Sequence, residues 1–440
     1  MGTDTLTDDR TRFPAELYPL WCRVWLYVQD YATHLADWLG KQLHSPAPAV
    51  TSCDPPAAAL RADLEALISC LDRPKPETAD LARALGCLHS LERTHPKDAR
   101  SFLVRAPEID LHGSRYALVP PLRLTTRSGD SRAKFPLSDE LAVKGTLGLG
   151  YRWLRLPADT SLDWQAIADL DILIGMSSLR IGLAPFASGG DMDMTVAPQD
   201  ARAPDGRVPI QCRCAREREP LRRRLEAVLH AAWERRVHVL VLPELVVDED
   251  LLGCCRDWLG KNNARERRLR LVVAGSRHCP AEADFANRCT VLGPLGDIRW
   301  EQDKRSPYTL DKPELLDRLS PTVKIALAFE PTALGAGLVV AQTALGRALT
   351  PICLDFIEGA LWSELGADLY LVPAMTDGLG RFRDQARRLG GLHGAASFVC
   401  NAQTTGKERC HHYLPVRGRS PVIVEIPDIP LFTVDVTLAV

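Results

Sequence analysis

From residue 179 onward, short apolar runs alternate with segments whose apolar residues recur every three or four positions. The first pattern predicts buried strands and the second amphipathic helices. Leu179-Arg-Ile-Gly-Leu-Ala-Pro-Phe186 reads as a buried strand, and a polar loop follows from Ala187 to Val208. Pro220 marks the start of a helix with Leu221, Leu225, Val228, Leu229 and Ala232 inside and Arg222, Arg223, Arg224 and Glu226 outside. A strand over 237–242 precedes a helix from about Asp248 to Lys261, whose three leading acids suit a helix N-terminus. After a strand over 269–274, the runs 288–293 and 298–301 flank the turn Pro294-Leu-Gly-Asp297 as a hairpin. Strands follow over 323–329, 337–342 and 350–353, then a helix over 356–365 and a strand over 369–372. A helix over 381–392, a strand over 397–400 and two closing strands within 421–426 and 431–436 complete the series. This order predicts an α/β domain whose sheets are covered by helices.

The first hundred residues carry a different pattern. Apolar spacing predicts helices over 17–39, 57–71 and 78–91, with a Pro-rich break from Ser45 to Pro56. Residues 101–175 are mixed, with short strands at 115–121 and 151–156 around the polar loop Thr125–Lys134. The chain therefore divides into a helical module (1–100), a connecting region (101–175) and the α/β domain (176–440). The helical module carries no recognisable chemistry, which favours a role in packing, regulation or binding another protein.

Composition narrows the setting. At 440 residues the chain is long enough for two domains and a large core. Hydrophobic residues make up 46% and charged residues 25%, and the net charge is −2. That balance gives no pull toward nucleic acid or an anionic membrane surface. No apolar run is long enough to span a bilayer, and the acidic, polar stretch after Met1 does not read as a signal peptide. Thirteen cysteines, an odd number scattered along the chain, favour free thiols in a reducing cytoplasm.

Three strand-ending residues carry candidate chemistry. Glu244 closes the run Val239-Leu-Val-Leu-Pro243-Glu244, Lys304 follows Trp300-Glu-Gln-Asp303, and Cys353 sits in Thr350-Pro-Ile-Cys353-Leu-Asp355. Function in open α/β sheets gathers beyond the carboxyl ends of strands. A thiol is nucleophilic as thiolate, so it needs a base to take its proton and a cation to lower its pKa and hold an oxyanion. Glu244 suits the first task and Lys304 the second. Each residue alone has a plainer reading: a buried filler cysteine, a helix-capping acid, a solvated lysine. Cys212-Arg-Cys214 and Cys254-Cys255 lack a second pair at metal-ligand spacing. Cys410-His-His412 is the one cluster suited to a metal, and a polar loop is the plainer reading there.

The order of these motifs over residues 179–406 resembles the nitrilase superfamily of carbon–nitrogen hydrolases. The matches are Pro243-Glu244, the hairpin from Asn287 through Trp300 to Lys304, Ile352-Cys353-Leu354-Asp355, Gly366-Ala-Asp368 before a strand, and Asn401 with Thr405-Gly406. The resemblance implies a four-layer αββα sandwich and a Glu–Lys–Cys triad of Glu244, Lys304 and Cys353, with no metal or organic cofactor. It implies a second glutamate after the lysine, for which Glu314 is the nearest candidate and Asp311 the rival. The backbone N–H of Leu354 becomes a second oxyanion donor. The implied activity is thiol-dependent hydrolysis of a non-peptide carbon–nitrogen bond, an amide in preference to a nitrile, through a thioester. Alternatives are an inactive module for assembly or ligand sensing, as in some bacterial defence systems, and amide-forming acyl transfer with the same triad. The implied partners are a small amide or nitrile substrate and a second copy of the chain. The sequence departs from the family at Leu354, where an aromatic is common, in the long loop from 187 to 218, and in the residues preceding 176.

Overall fold

The fold is taken from a computed structural model. It describes residues 20, 23–24, 57–71, 80, 108–111, 114–119 and most of 152–437. Within the last span it omits 158–159, 174–175, 177, 188–190, 197–207, 215–217, 281–284, 311–326, 331–336, 403–408, 415–422 and 426–428. Two compact units emerge: residues 1–121 with 134–158, and residues 122–133 with 159–440. In the first, helix α1 (Ala57–Leu71) buries Leu64, Leu67 and Ile68, the three- and four-residue spacing read from the sequence. Strands β1 (Glu108–Leu111), β2 (Ser114–Val119) and β3 (Arg152–Leu156) form an antiparallel sheet. The helices expected over 17–39 and 78–91 lie almost wholly outside the described residues.

The second unit is built on two sheets. One runs in the order β11-β10-β9-β8-β5-β20-β19. Its strands are β5 (Ser178–Leu183), β8 (Val239–Val241), β9 (Leu271–Pro280), β10 (Phe285–Leu292), β11 (Ile298–Asp303), β19 (Ile423–Glu425) and β20 (Phe432–Thr437). The other runs β18-β17-β16-β15-β14-β4. It comprises β4 (Leu162–Ile167), β14 (Leu338–Thr343), β15 (Gly346–Leu349), β16 (Leu369–Ala374), β17 (Ala396–Asn401) and β18 (Cys410–Tyr413). β5, β8 and β9 are mutually parallel, as are β15, β16 and β17. Such strands are buried on both faces and read as continuous apolar runs. The sheets face one another, β9 and β8 against β16, β17 against β5 and β8, and β11 against β14.

Helices α2 (Arg218–Glu234) and α3 (Glu249–Trp258) cover the first sheet. Leu221, Leu225, Val228, Leu251 and Leu252 join Leu240, Leu242 and Val272 in one core. Asp248 caps α3 by accepting from Leu251 N–H. On the second sheet lie the short helices α4 (Leu354–Glu358) and α5 (Ala360–Leu365) and the longer α6 (Gly380–His393). Phe356 of α4 stacks on Phe382 of α6 and meets Tyr370 of β16 edge-on.

Four local expectations change. The strand expected over 350–353 ends at Leu349, and the helix expected from 356 begins at Leu354. Cys353 therefore sits at a strand–helix corner. The polar loop expected from 187 to 208 contains β6 (Met192–Val196), paired antiparallel with β7 (Val208–Cys214). With β12 (Thr309–Leu310) and β13 (Ala328–Phe329), these form a small sheet in the order β12-β13-β7-β6. Cys410-His-His412 forms an edge strand, not a loop. The closing strands are present, and β20 pairs with β5. The second unit also takes in β4, upstream of residue 176.

Candidate active site

Glu244, Lys304 and Cys353 follow β8, β11 and β15, and all three are buried, at 2%, 1% and 6% exposure. Glu244 leaves β8 through a sharp corner in which Leu245 adopts φ 60°. The Leu245 N–H donates to Ser276 Oγ on β9 at 3.1 Å, which fixes the corner. Across the interior, β16 supplies the second anchor. Glu244 N–H donates to the Ala374 carbonyl at 3.3 Å, and Cys353 N–H to the Pro373 carbonyl at 2.9 Å. The Cys353 thiol lies 3.8 Å from the Met375 carbonyl. Cys353 itself has φ 49° and ψ −106°, outside the regions open to side-chain-bearing residues at low cost. Such strain, of order 1–3 kcal/mol, persists only where surrounding contacts impose it, and it gathers at functional positions.

The three side chains converge. Lys304 Nζ donates to Glu244 Oε1 at 2.8 Å and also to Glu330. The Cys353 thiol and the Glu244 carboxylate are near enough to shift one another's proton affinity, while the thiol's hydrogen bond goes to the Met375 carbonyl. Asn287 Nδ2 donates to Glu244 at 3.0 Å and to Glu330, so two carboxylates share one amide and one ammonium. Asn287 opens the hairpin, and its carbonyl accepts from Lys304 N–H at 2.8 Å, which places Lys304 just beyond β11. On the far side, buried Asp355 accepts from the backbone N–H groups of Arg305 and Ser306. It thereby ties the segment after Lys304 to the first turn of α4.

Burial and charge oppose one another here. Burial pushes Glu244 up, and Glu330 adds to that; Lys304 works against both, and the net direction is upward. Burial would lower Lys304, but Glu244 and Glu330 outweigh it and hold the ammonium well above its usual value. Glu330 is also buried, yet Lys304 and then His278 hold it below the ordinary carboxylate range. Burial and then Glu244 push the Cys353 thiol well up. Lys304 pulls the thiol down, as expected from the sequence, but is outweighed. The net effect favours the protonated thiol at Cys353. Burial lifts Asp355 to about 6.

Glu314 and Asp311, expected as second carboxylates, lie outside the described residues. Among the described residues, the second carboxylate that meets Lys304 is Glu330, directly after β13. The sequence signal was present: Glu330 ends an apolar run, as Glu244 does. Leu354 is the first residue of α4, and the first amides of a helix have no acceptor within it. His278 and Ser276 had no distinguishing context in the sequence. They reach the site from β9, where His278 is the cross-strand partner of Asn287.

No family model matches the chain, and no curated protein matches it. Among solved structures, it is similar to Saccharomyces cerevisiae Nit3, a member of branch 10 of the nitrilase superfamily. The identity is 13% and the TM-score 0.37, over 59% of this chain and 90% of that one. The C. elegans NitFhit protein gives 16% and 0.38, over 60% and 61%. A mutant amidase from Nesterenkonia sp. AN1, showing covalent addition of the acetamide moiety of fluoroacetamide at its active-site cysteine, gives 14% and 0.37, over 59% and 91%. The chain thus resembles nitrilase-superfamily structures across a little over half its length.

Proposed function

We propose that the second unit is a thiol-dependent hydrolase that cleaves a non-peptide carbon–nitrogen bond, an amide in preference to a nitrile. The observation that carries this reading is the buried convergence of Cys353, Glu244 and Lys304. Two facing sheets flanked by helices support the four-layer αββα arrangement that goes with it.

Cys353 Sγ attacks the carbonyl carbon as Glu244 takes the thiol proton. A base whose pKa is raised by burial holds that proton until the leaving nitrogen needs it, which suits an amide. Charge then develops on the carbonyl oxygen. An ammonium has three donors, and Glu244 and Glu330 take two of those on Lys304. The third has no acceptor among the described residues and can meet the oxyanion, with the Leu354 N–H as a second donor. Collapse breaks the C–N bond, Glu244 returns the proton to the leaving amine, and a thioester remains on Cys353. Water, deprotonated by Glu244, hydrolyses the thioester and restores the thiol; an amine in place of that water would give acyl transfer.

The test is a panel of small amides and nitriles, read by amine or ammonia release and by the mass of the acyl adduct on Cys353. Cys353→Ala should lose at least about a thousandfold in turnover, since removing a nucleophile abolishes the covalent route. Unchanged amine release in Cys353→Ala overturns the assignment.

A further inference from the structure

The two carboxylates at Lys304 have nearly matching surroundings, both accepting from Lys304 and from Asn287 Nδ2. They differ in one neighbour each: Glu244 has the Cys353 thiol, and Glu330 has His278. His278 Nδ1 accepts from the Cys212 backbone N–H at 2.8 Å, and Nε2 faces Glu330 Oε1 at 3.2 Å. Its side chain is 2% exposed. A ring nitrogen that accepts from an amide carries no proton, so the proton of the neutral imidazole sits on Nε2 and is donated to Glu330.

We propose that His278 is a positioning residue that decides which carboxylate is the base. Locked as its Nε2–H tautomer by Cys212, it keeps Glu330 anionic on Lys304 and leaves Glu244 to exchange protons with Cys353. The proposal rests on the triad reading above and adds to it how the proton is directed. The small sheet gives independent support. β7, which carries Cys212, pairs in parallel with β13, whose next residue is Glu330. One structural unit, part of it in the stretch that reads as a polar loop, therefore supplies both the second carboxylate and the amide that sets the tautomer. The opposite directions in which Glu330 and Glu244 are shifted agree with this division.

The experiment uses the full chain with p-nitrophenyl acetate as probe. Acylation forms the Cys353 S–C bond, breaks the ester C–O bond, passes the thiol proton to Glu244 and releases p-nitrophenolate; Cys353→Ala sets the background. His278→Asn keeps an acceptor for the Cys212 N–H but loses the donor to Glu330. His278→Gln places a donor nitrogen where Nε2 was. The groups facing Glu330 are His278 from β9, Asn287 from β10 and Lys304 after β11, with Glu244 reached through Lys304. Loss of the donor raises Glu330, so the cluster takes up a proton at higher pH. The expected result is acylation slowed at least tenfold in His278→Asn, with its acidic limb moved to higher pH. His278→Gln should stay within threefold of wild type with the limb unmoved. Equal effects of the two variants, or no effect of His278→Asn, overturn the proposal while wild type still exceeds Cys353→Ala. Wild type matching Cys353→Ala overturns the triad reading and this one together. Nitrogen-15 imidazole spectra of wild type supply a readout independent of folding in the variants. Nε2 should be protonated and Nδ1 bare, and a proton on Nδ1 overturns the tautomer.

Discussion

Glu244 and Glu330 are the same side chain in one buried cluster, and their proton affinities move apart. Glu330 is depressed from its ordinary value of 4.5, so it binds protons less readily folded than unfolded. Its contribution to stability is complete above about pH 4.5 and is lost as pH falls toward its lowered value. Glu244 and Asp355 are raised and act in the opposite sense, so that stability declines as pH rises through their window. Glu330→Gln should therefore destabilise the protein at neutral pH by on the order of 3 kcal/mol, the scale for breaking a buried ion pair. It should also flatten the loss of stability on acidification, as denaturant melts at several pH values will show. At Cys353 the sign runs otherwise. Glu244 raises the thiol pKa, so Glu244→Gln should let thiolate form at lower pH while turnover falls. Ultraviolet titration of the thiolate beside an activity assay tests this, and a thiol pKa that rises in Glu244→Gln contradicts it.

The elements explain why some of this was legible in the sequence. Parallel strands buried on both faces are continuous apolar runs, so β5, β8 and β16 and the helices between strands could be read directly. The hairpin of β6 and β7 was hidden by polar composition. Its period-two alternation is nonetheless there, in Met192-Asp-Met194-Thr-Val196 and Val208-Pro-Ile210-Gln-Cys212. The corner at Cys353 was hidden for another reason: Thr350-Pro-Ile is as apolar as a strand but leads into a helix. Contacts such as Cys212 with His278 join distant segments and leave no local trace. The β9–β10 register shows a further local device. Ser276 pairs with Cys289 but Val273 with Val291, so β9 carries an extra residue at Ala274–Gly275. Gly275 has φ 66°, and a Cβ there would lie 2.1 Å from the Pro243 carbonyl oxygen. Gly275→Ala must push back the backbone that delivers Glu244. It should cost about 2 kcal/mol or more and reduce turnover, both measurable on one purified sample. Full stability and activity in that variant would show that the corner tolerates displacement.

At the scale of the molecule, the site depends on two sheets holding one separation. Glu244 and its lysine belong to the first sheet, and Cys353 follows a strand of the second. Trp300 Nε1 donates to Thr350 Oγ1 at 3.1 Å, and the Gln302 side chain bonds the Gly337 carbonyl and the Val339 N–H, so β11 is stitched to the facing sheet beside the site. The end of β16 goes further, because Glu244 and Cys353 hang from adjacent carbonyls, those of Ala374 and Pro373. A fluctuation that frees one must disturb the peptide that holds the other. The Glu244 and Cys353 amides, far apart in sequence, should therefore exchange with deuterium in a single opening event. Their exchange rates should fall together as denaturant is withdrawn and share one dependence on its concentration. Divergent dependences would mean that the two halves of the site breathe separately, each able to lose its register while the other keeps it.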